Sequence, residues 1–128
     1  MSRLLAMLLL VAACGASAGA TADFGAVVRA GHPREVTVTG TVQRLLHDSS
    51  GAAGPHERFV LDVHGVQVEV DHNLTLAPRA PLQVGDSVTV HGQFEPDPGH
   101  PVIHYTHHAT GRHEGGYVTV RGRSYALG

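Results

Sequence analysis

The stretch RFVLDVHGVQVEV, residues 58–70, decides the fold class. Phe59, Leu61 and Val63 fall on one face, and Val66, Val68 and Val70 resume the same alternation. Apolar side chains at period two mark a strand with one face in a core. Between the two runs stand His64 and Gly65 alone, the length of a tight hairpin turn with His where Asn is common. That turn sets the register and places Val63 opposite Val66.

Working outward, EVTVTGTVQRLL (35–46) puts Val36, Val38, Gly40 and Val42 on one face, with Thr37, Thr39, Thr41 and Gln43 on the other. Leu45 and Leu46 break the phase, which predicts a bulge or a strand end. HDSSGAAGPHE (47–57) reads as a loop by composition. Beyond the hairpin, DHNLTLAPRAPLQVGD (71–86) connects, and Pro78 and Pro81 rule out a long helix there. SVTVHGQFE (87–95) gives a strand with Val88, Val90 and Phe94 inward. VIHYTHH (102–108) gives another, with Ile103 and Tyr105 facing the core, and His104, Thr106 and His108 facing out. His107 shares the inner side or lies at the strand end. YVTVRGRSY (117–125) closes the chain as a short strand. No repeat and no amphipathic helix is apparent. The pattern predicts an all-β protein, a small five- to six-stranded antiparallel barrel of OB-fold-like plan. Gly40 and Gly92 suit the sharp coiling that a small barrel demands of its strands.

The N-terminus reads as a targeting segment. Arg3 precedes an apolar run from Leu4 to Ala13, about 10 residues where a membrane-spanning helix needs ~20. Val11-Ala12-Ala13-Cys14 resembles a bacterial lipobox, and Cys14 is the single Cys of the chain. Ala16-Ser17-Ala18 offers an ordinary cleavage site as the alternative. The expected organisation is a signal peptide over 1–13, lipidation at Cys14, a flexible tether over 14–34, and the barrel over 35–126. The mature protein is then exported, to the periplasm or as an outer-membrane lipoprotein, held to the membrane by its lipid anchor alone. Without a second Cys it has no internal disulfide.

The whole chain carries a formal charge of −2 with neutral His. Nucleic-acid binding rests on phosphate neutralisation, so a nucleic-acid partner is not expected. The 11 His add positive charge only as the pH falls toward 5.

HPVIHYTHHATGRHEGGYV (100–118) holds five of those histidines: His100, His104, His107, His108 and His113. On an extended strand His104 and His108 stand about 13 Å apart. Ligands of one zinc ion lie about 2 Å from it, so the run cannot itself be a metal cage. A turn at Thr110-Gly111 can fold His113 back toward His107 or His108, with His72 or His56 as a third ligand. His72, His107, His108 and His113 are therefore the candidate set for Zn²⁺ or another divalent cation. The competing reading is of surface and turn imidazoles, with one or two buried and hydrogen-bonded. Neither a HExxH motif nor a nucleophile elbow occurs, and no catalytic residue is assigned.

Three segments together, GTVQRLLHDSSGAAGPHERFVL (40–61), VEVDHNLTLAPRAPLQVGDSVTVHGQFE (68–95) and VIHYTHHATGRHEGGYV (102–118), resemble an exported bacterial family, domain-of-unknown-function family 3465. The resemblance rests on His56, Arg58 and Phe59, on His72 and Asn73, on Ala77-Pro78-Arg79, on His104, Thr106 and His107, and on His113 and Gly116. Glu57 stands where the family pattern has Gln, and Tyr105 and Tyr117 stand where it has Trp. The resemblance implies a polar site built from separated segments. The expected ligand-binding residues are His56, Arg58, His72, Asn73, Arg79, His104, Tyr105 and His107. The expected function is a binding module for a small molecule, a saccharide or an envelope protein, with enzymatic activity left open and a non-enzymatic role favoured. The alternative is a divalent-metal protein, hydrolytic or not, that uses the same histidines.

Overall fold

The computed structural model describes residues 20, 21 and 23–127. The signal segment, the lipobox and Cys14 lie outside them. The elements are a helix α1 (Phe24–Ala30) and strands β1 (Arg34–Ser49), β2 (His56–Val63), β3 (Val66–Asn73), β4 (Ser87–Glu95), β5 (Val102–His104), β6 (Tyr117–Val120) and β7 (Arg123–Tyr125). The strands form one mixed sheet in the order β1-β2-β3-β5-β4-β6-β7, and a further β1–β4 pairing closes the first five into a ring. The expectation of an all-antiparallel sheet is corrected at one seam: β3 and β5 run parallel, with Val70 opposite Ile103.

The β2–β3 hairpin forms as its sequence dictates. Val63 pairs with Val66, and both His64 (φ 49) and Gly65 (φ 86) take positive φ. Two left-handed residues make a turn whose twist matches that of the flanking strands. The Asp62 carboxylate accepts the Gly65 N–H at 2.9 Å and fixes the turn.

A single long strand, β1, serves both halves of the ring. Its first half, Arg34 to Thr41, pairs with β4, and its second half, from Thr41 onward, pairs with β2. Gly40 stands where the strand passes from one partner to the other. A Cβ there would lie 2.4 Å from the Asp62 carbonyl oxygen, so only Gly permits the approach. The register slips between Val42 and Arg44, which accounts for the phase break: after this bulge Leu45 stands opposite the buried Phe59, although Leu45 itself is 50% exposed. Pairing continues to Ser49 and begins again at His56, so the loop is shorter than composition suggests, 50–55 instead of 47–57.

The core is one cluster that takes the inward residues of every ring strand, among them Val36, Val38, Phe59, Leu61, Val70, Val88, Val90, Phe94 and Ile103. It also takes Phe24 and Val27 from the segment read as a tether. That segment is helical, capped by the Asp23 side chain on the Ala26 N–H and ended by Gly31 in the left-handed region. The Phe24 ring meets Phe94 edge to face, 5.7 Å between centroids. Among the described residues no helix is long and apolar enough to cross a membrane.

Candidate functional site

The strand expected over 102–108 ends early, and its ending builds the site. Tyr105 has φ 58, so β5 stops at His104 and the chain reverses its facing. Tyr105, expected in the core, is 42% exposed, while Thr106 and His107, at 0% and 3%, turn inward. Gly92 makes the reversal possible: a Cβ there would meet the His104 carbonyl oxygen at 2.4 Å and the Thr106 methyl at 2.9 Å.

His72, at the end of β3, is fully buried and joins three segments. Its Nε2–H donates to the Pro78 carbonyl at 3.0 Å, and its Nδ1 accepts the Thr106 hydroxyl at 2.7 Å. A carbonyl cannot donate, so the tautomer is fixed, and neither nitrogen is left for a cation. Burial holds the His72 pKa below the usual imidazole range. Across the hairpin stands Glu57, paired with His72 in register and also buried. One of its carboxylate oxygens accepts the Ala80 N–H at 3.0 Å, and the other meets Arg79 at 3.3 Å. Arg79 also holds Asp48 through two contacts. Burial raises the Glu57 carboxyl to about 7, against the pull of the Ala80 N–H and Arg79. His72 and Glu57 thus fasten the connector 74–83, whose backbone has no sheet partner, to the hairpin end. Asn73 adds a bond on each side, accepting the Thr75 N–H at 2.9 Å and donating to the Ala53 carbonyl at 3.3 Å.

Other imidazoles face open space. A cleft of about 670 Å³ lies among the 50–55 loop, the ends of β3 and β5, and the turn after β5. His56, Asp71, Asn73, Gln93, His104, Tyr105, His107 and His113 line it. His56 donates Nδ1–H to the Gly54 carbonyl at 3.0 Å, and His107 donates Nδ1–H to the His108 carbonyl at 2.9 Å. In the neutral ring each therefore presents Nε2 as an acceptor, with no hydrogen-bond partner among the described residues. Burial keeps His107 below the ordinary imidazole pKa, so this nitrogen stays bare at neutral pH. His104 lies 4.0 Å from the Asp71 carboxylate. Burial raises the Asp71 carboxyl, and the Glu69 charge raises it further. The Tyr105 ring stacks on His113, 4.4 Å between centroids and 20° between planes, and its own exposure leaves an aromatic surface at the rim.

The sequence-derived residues therefore separate. His56, Asn73, His104, Tyr105 and His107 line the cleft. Arg58 does not: it is spent on Glu69 at 2.6 Å, and Glu69 also takes His100 at 2.8 Å. Arg79 and His72 likewise hold structure together. The four candidate metal ligands do not form a set. His72 and His113 use both ring nitrogens, the latter on Thr110 at 3.1 Å and Glu114 at 2.6 Å, and His108 donates Nδ1–H to Ala126. His107 and His113 do meet, as rings at 84° to each other. Among the described residues, the three metal-ligating side chains whose donor atoms lie within 4.8 Å of one another are Glu35, His91 and Glu114. Sequence reasoning passed over all three. Glu35 and His91 sit two positions out of register on the β1–β4 pair, a nearness that only the strand pairing reveals.

No curated protein matches the chain. The model of one family, described as a protein of unknown function (DUF3465), matches residues 7–126, nearly the whole sequence. The chain, with its imidazole-lined cleft beside Tyr105, belongs to the DUF3465 family.

Proposed function

We propose that the protein is an exported, lipid-anchored binding module that holds a polyhydroxylated ligand, a saccharide, in the cleft beside Tyr105. The observation that carries this reading is the company of an exposed aromatic ring, two bare imidazole acceptors and the Asp71 carboxylate around one opening. A sugar offers an apolar ring face for stacking and hydroxyl donors for such acceptors. The ring order β1-β2-β3-β5-β4 with a parallel β3–β5 seam fits the OB-fold plan of a small barrel. In that plan ligands lie on the face of the second and third strands and under the first inter-strand loop, where this cleft sits. Nucleic acid, the other common guest of such barrels, is disfavoured by the net negative charge.

The test is saturation-transfer NMR with a panel of neutral disaccharides (N,N′-diacetylchitobiose, cellobiose and maltose). At least one is expected to receive saturation. Tyr105→Ala is expected to weaken that binding by about tenfold or more, the worth of a lost stacking contact. Tyr105 is exposed, so the variant folds. No transfer to any of the three, or transfer unchanged in Tyr105→Ala, would sink the proposal.

A further inference from the structure

A second cluster lies outside the cleft and is unused by the reading above. Glu35 on β1, His91 on β4 and Glu114 in the segment before β6 bring three donor atoms within 4.8 Å of one another. His91 Nε2 stands 3.5 Å from a Glu35 oxygen and 3.8 Å from a Glu114 oxygen. These spacings exceed the normal N–H···O range of about 2.7–3.2 Å. They approach the separation of about 3.4 Å between two ligands held ~2.1 Å from a tetrahedral ion. The facing Glu35 oxygen is buried and has no hydrogen-bond partner. The other nitrogen of His91, Nδ1, is bonded to the Thr37 hydroxyl at 2.6 Å, the outer contact that commonly orients a ligating imidazole. The His91 ring is further held by stacking on Tyr117, 5.6 Å between centroids.

We propose that Glu35, His91 and Glu114 bind one divalent transition-metal cation, with Zn²⁺ the ion best matched to one imidazole and two carboxylates. Three protein ligands leave a fourth position for water. The ion ties β1 and β4 to the segment carrying Glu114. That segment also carries His113, on which Tyr105 stacks, so the site braces one wall of the cleft. Thr110 and Arg112 of the same segment line that wall.

The experiment uses protein purified without a metal-affinity tag and stripped with EDTA. Zn²⁺ is titrated calorimetrically into wild type, Glu114→Gln, His91→Gln and His56→Gln. A parallel NMR titration with Mn²⁺ reads which ring signals broaden first. The expected result is a 1:1 site weakened by about tenfold or more in Glu114→Gln and His91→Gln, unchanged in His56→Gln. The His91 and Tyr117 signals are expected to broaden before those of the cleft. Glu114 is exposed, so its variant reads the site even where a change at the sheet perturbs folding. Absence of binding overturns the proposal, as does equal affinity in Glu114→Gln and wild type. Binding lost only in His56→Gln also overturns it, placing the cation in the cleft.

Discussion

Replacing His72 with Ala is expected to destabilise the protein by about 3–5 kcal/mol, among the largest effects of any single change in this fold. Two contributions add. The fully buried ring leaves a cavity, the Thr106 hydroxyl loses its partner in a buried place, and the part-buried Pro78 carbonyl loses one as well. His72→Phe separates the two. It fills most of the volume and restores neither hydrogen bond, so a residual loss of about 2 kcal/mol is expected from the stranded polar groups. Urea denaturation of the three proteins reads both numbers. A Phe variant as stable as wild type would mean that His72 acts by packing alone.

The pH dependence of stability supplies the second large effect. The folded Glu57 carboxyl keeps its proton up to about 7, whereas the unfolded group releases it near 4.5. The resulting stabilisation is full below about 4.5 and is lost as the pH rises through about 7. At about 1.4 kcal/mol per pKa unit, the full loss is about 3 kcal/mol. His72 and His107 work in the opposite sense: burial lowers both from 6.5, so each contributes stability that is present above 6.5 and falls away as the pH drops toward the folded value. The two trends partly cancel in wild type. Glu57→Gln keeps an acceptor for the Ala80 N–H, and Arg79 keeps Asp48, so the variant isolates the carboxyl. Its stability is expected to gain about 3 kcal/mol relative to wild type between pH 4.5 and 8. Parallel curves for the two proteins would contradict the assignment.

Much of the fold was legible because strands with one buried face repeat every two residues. Val36, Val38 and Val42 in β1, the β2–β3 hairpin with its register, and Val88, Val90 and Phe94 in β4 all take the facing that alternation gives them. What escaped was set by single residues or by distance in the chain. The helix Phe24–Ala30 buries only Phe24 and Val27, too few anchors over too short a span for periodicity to register. Its capping signals, Asp23 and Gly31, were there to be read. Tyr105 in the left-handed region is a tertiary outcome: the reversal becomes favourable only because Gly92 clears a path and His72 awaits the Thr106 hydroxyl. The parallel β3–β5 seam has no local signature either, since it joins residues more than thirty positions apart.

The site was partly legible for the same reason. Residue type marked His56, His104, Tyr105 and His107, and the structure brings them to one cleft. Type alone could not tell an imidazole with a bare nitrogen from His72, whose nitrogens are both engaged by segments distant in sequence. Arg58 and Arg79 looked available as ligand hooks until their carboxylate partners were known.

That division of the histidines is the central claim, and a long-range ¹H–¹⁵N spectrum of the imidazole rings, followed from pH 8 to pH 5, tests it most directly. The account expects His72 to carry its proton on Nε2 and to stay neutral through the range where a free imidazole titrates. It expects His56 and His107 to carry theirs on Nδ1 at pH 8, with Nε2 bare toward the cleft. A His72 that titrates near 6.5, or that exchanges between tautomers, would contradict it.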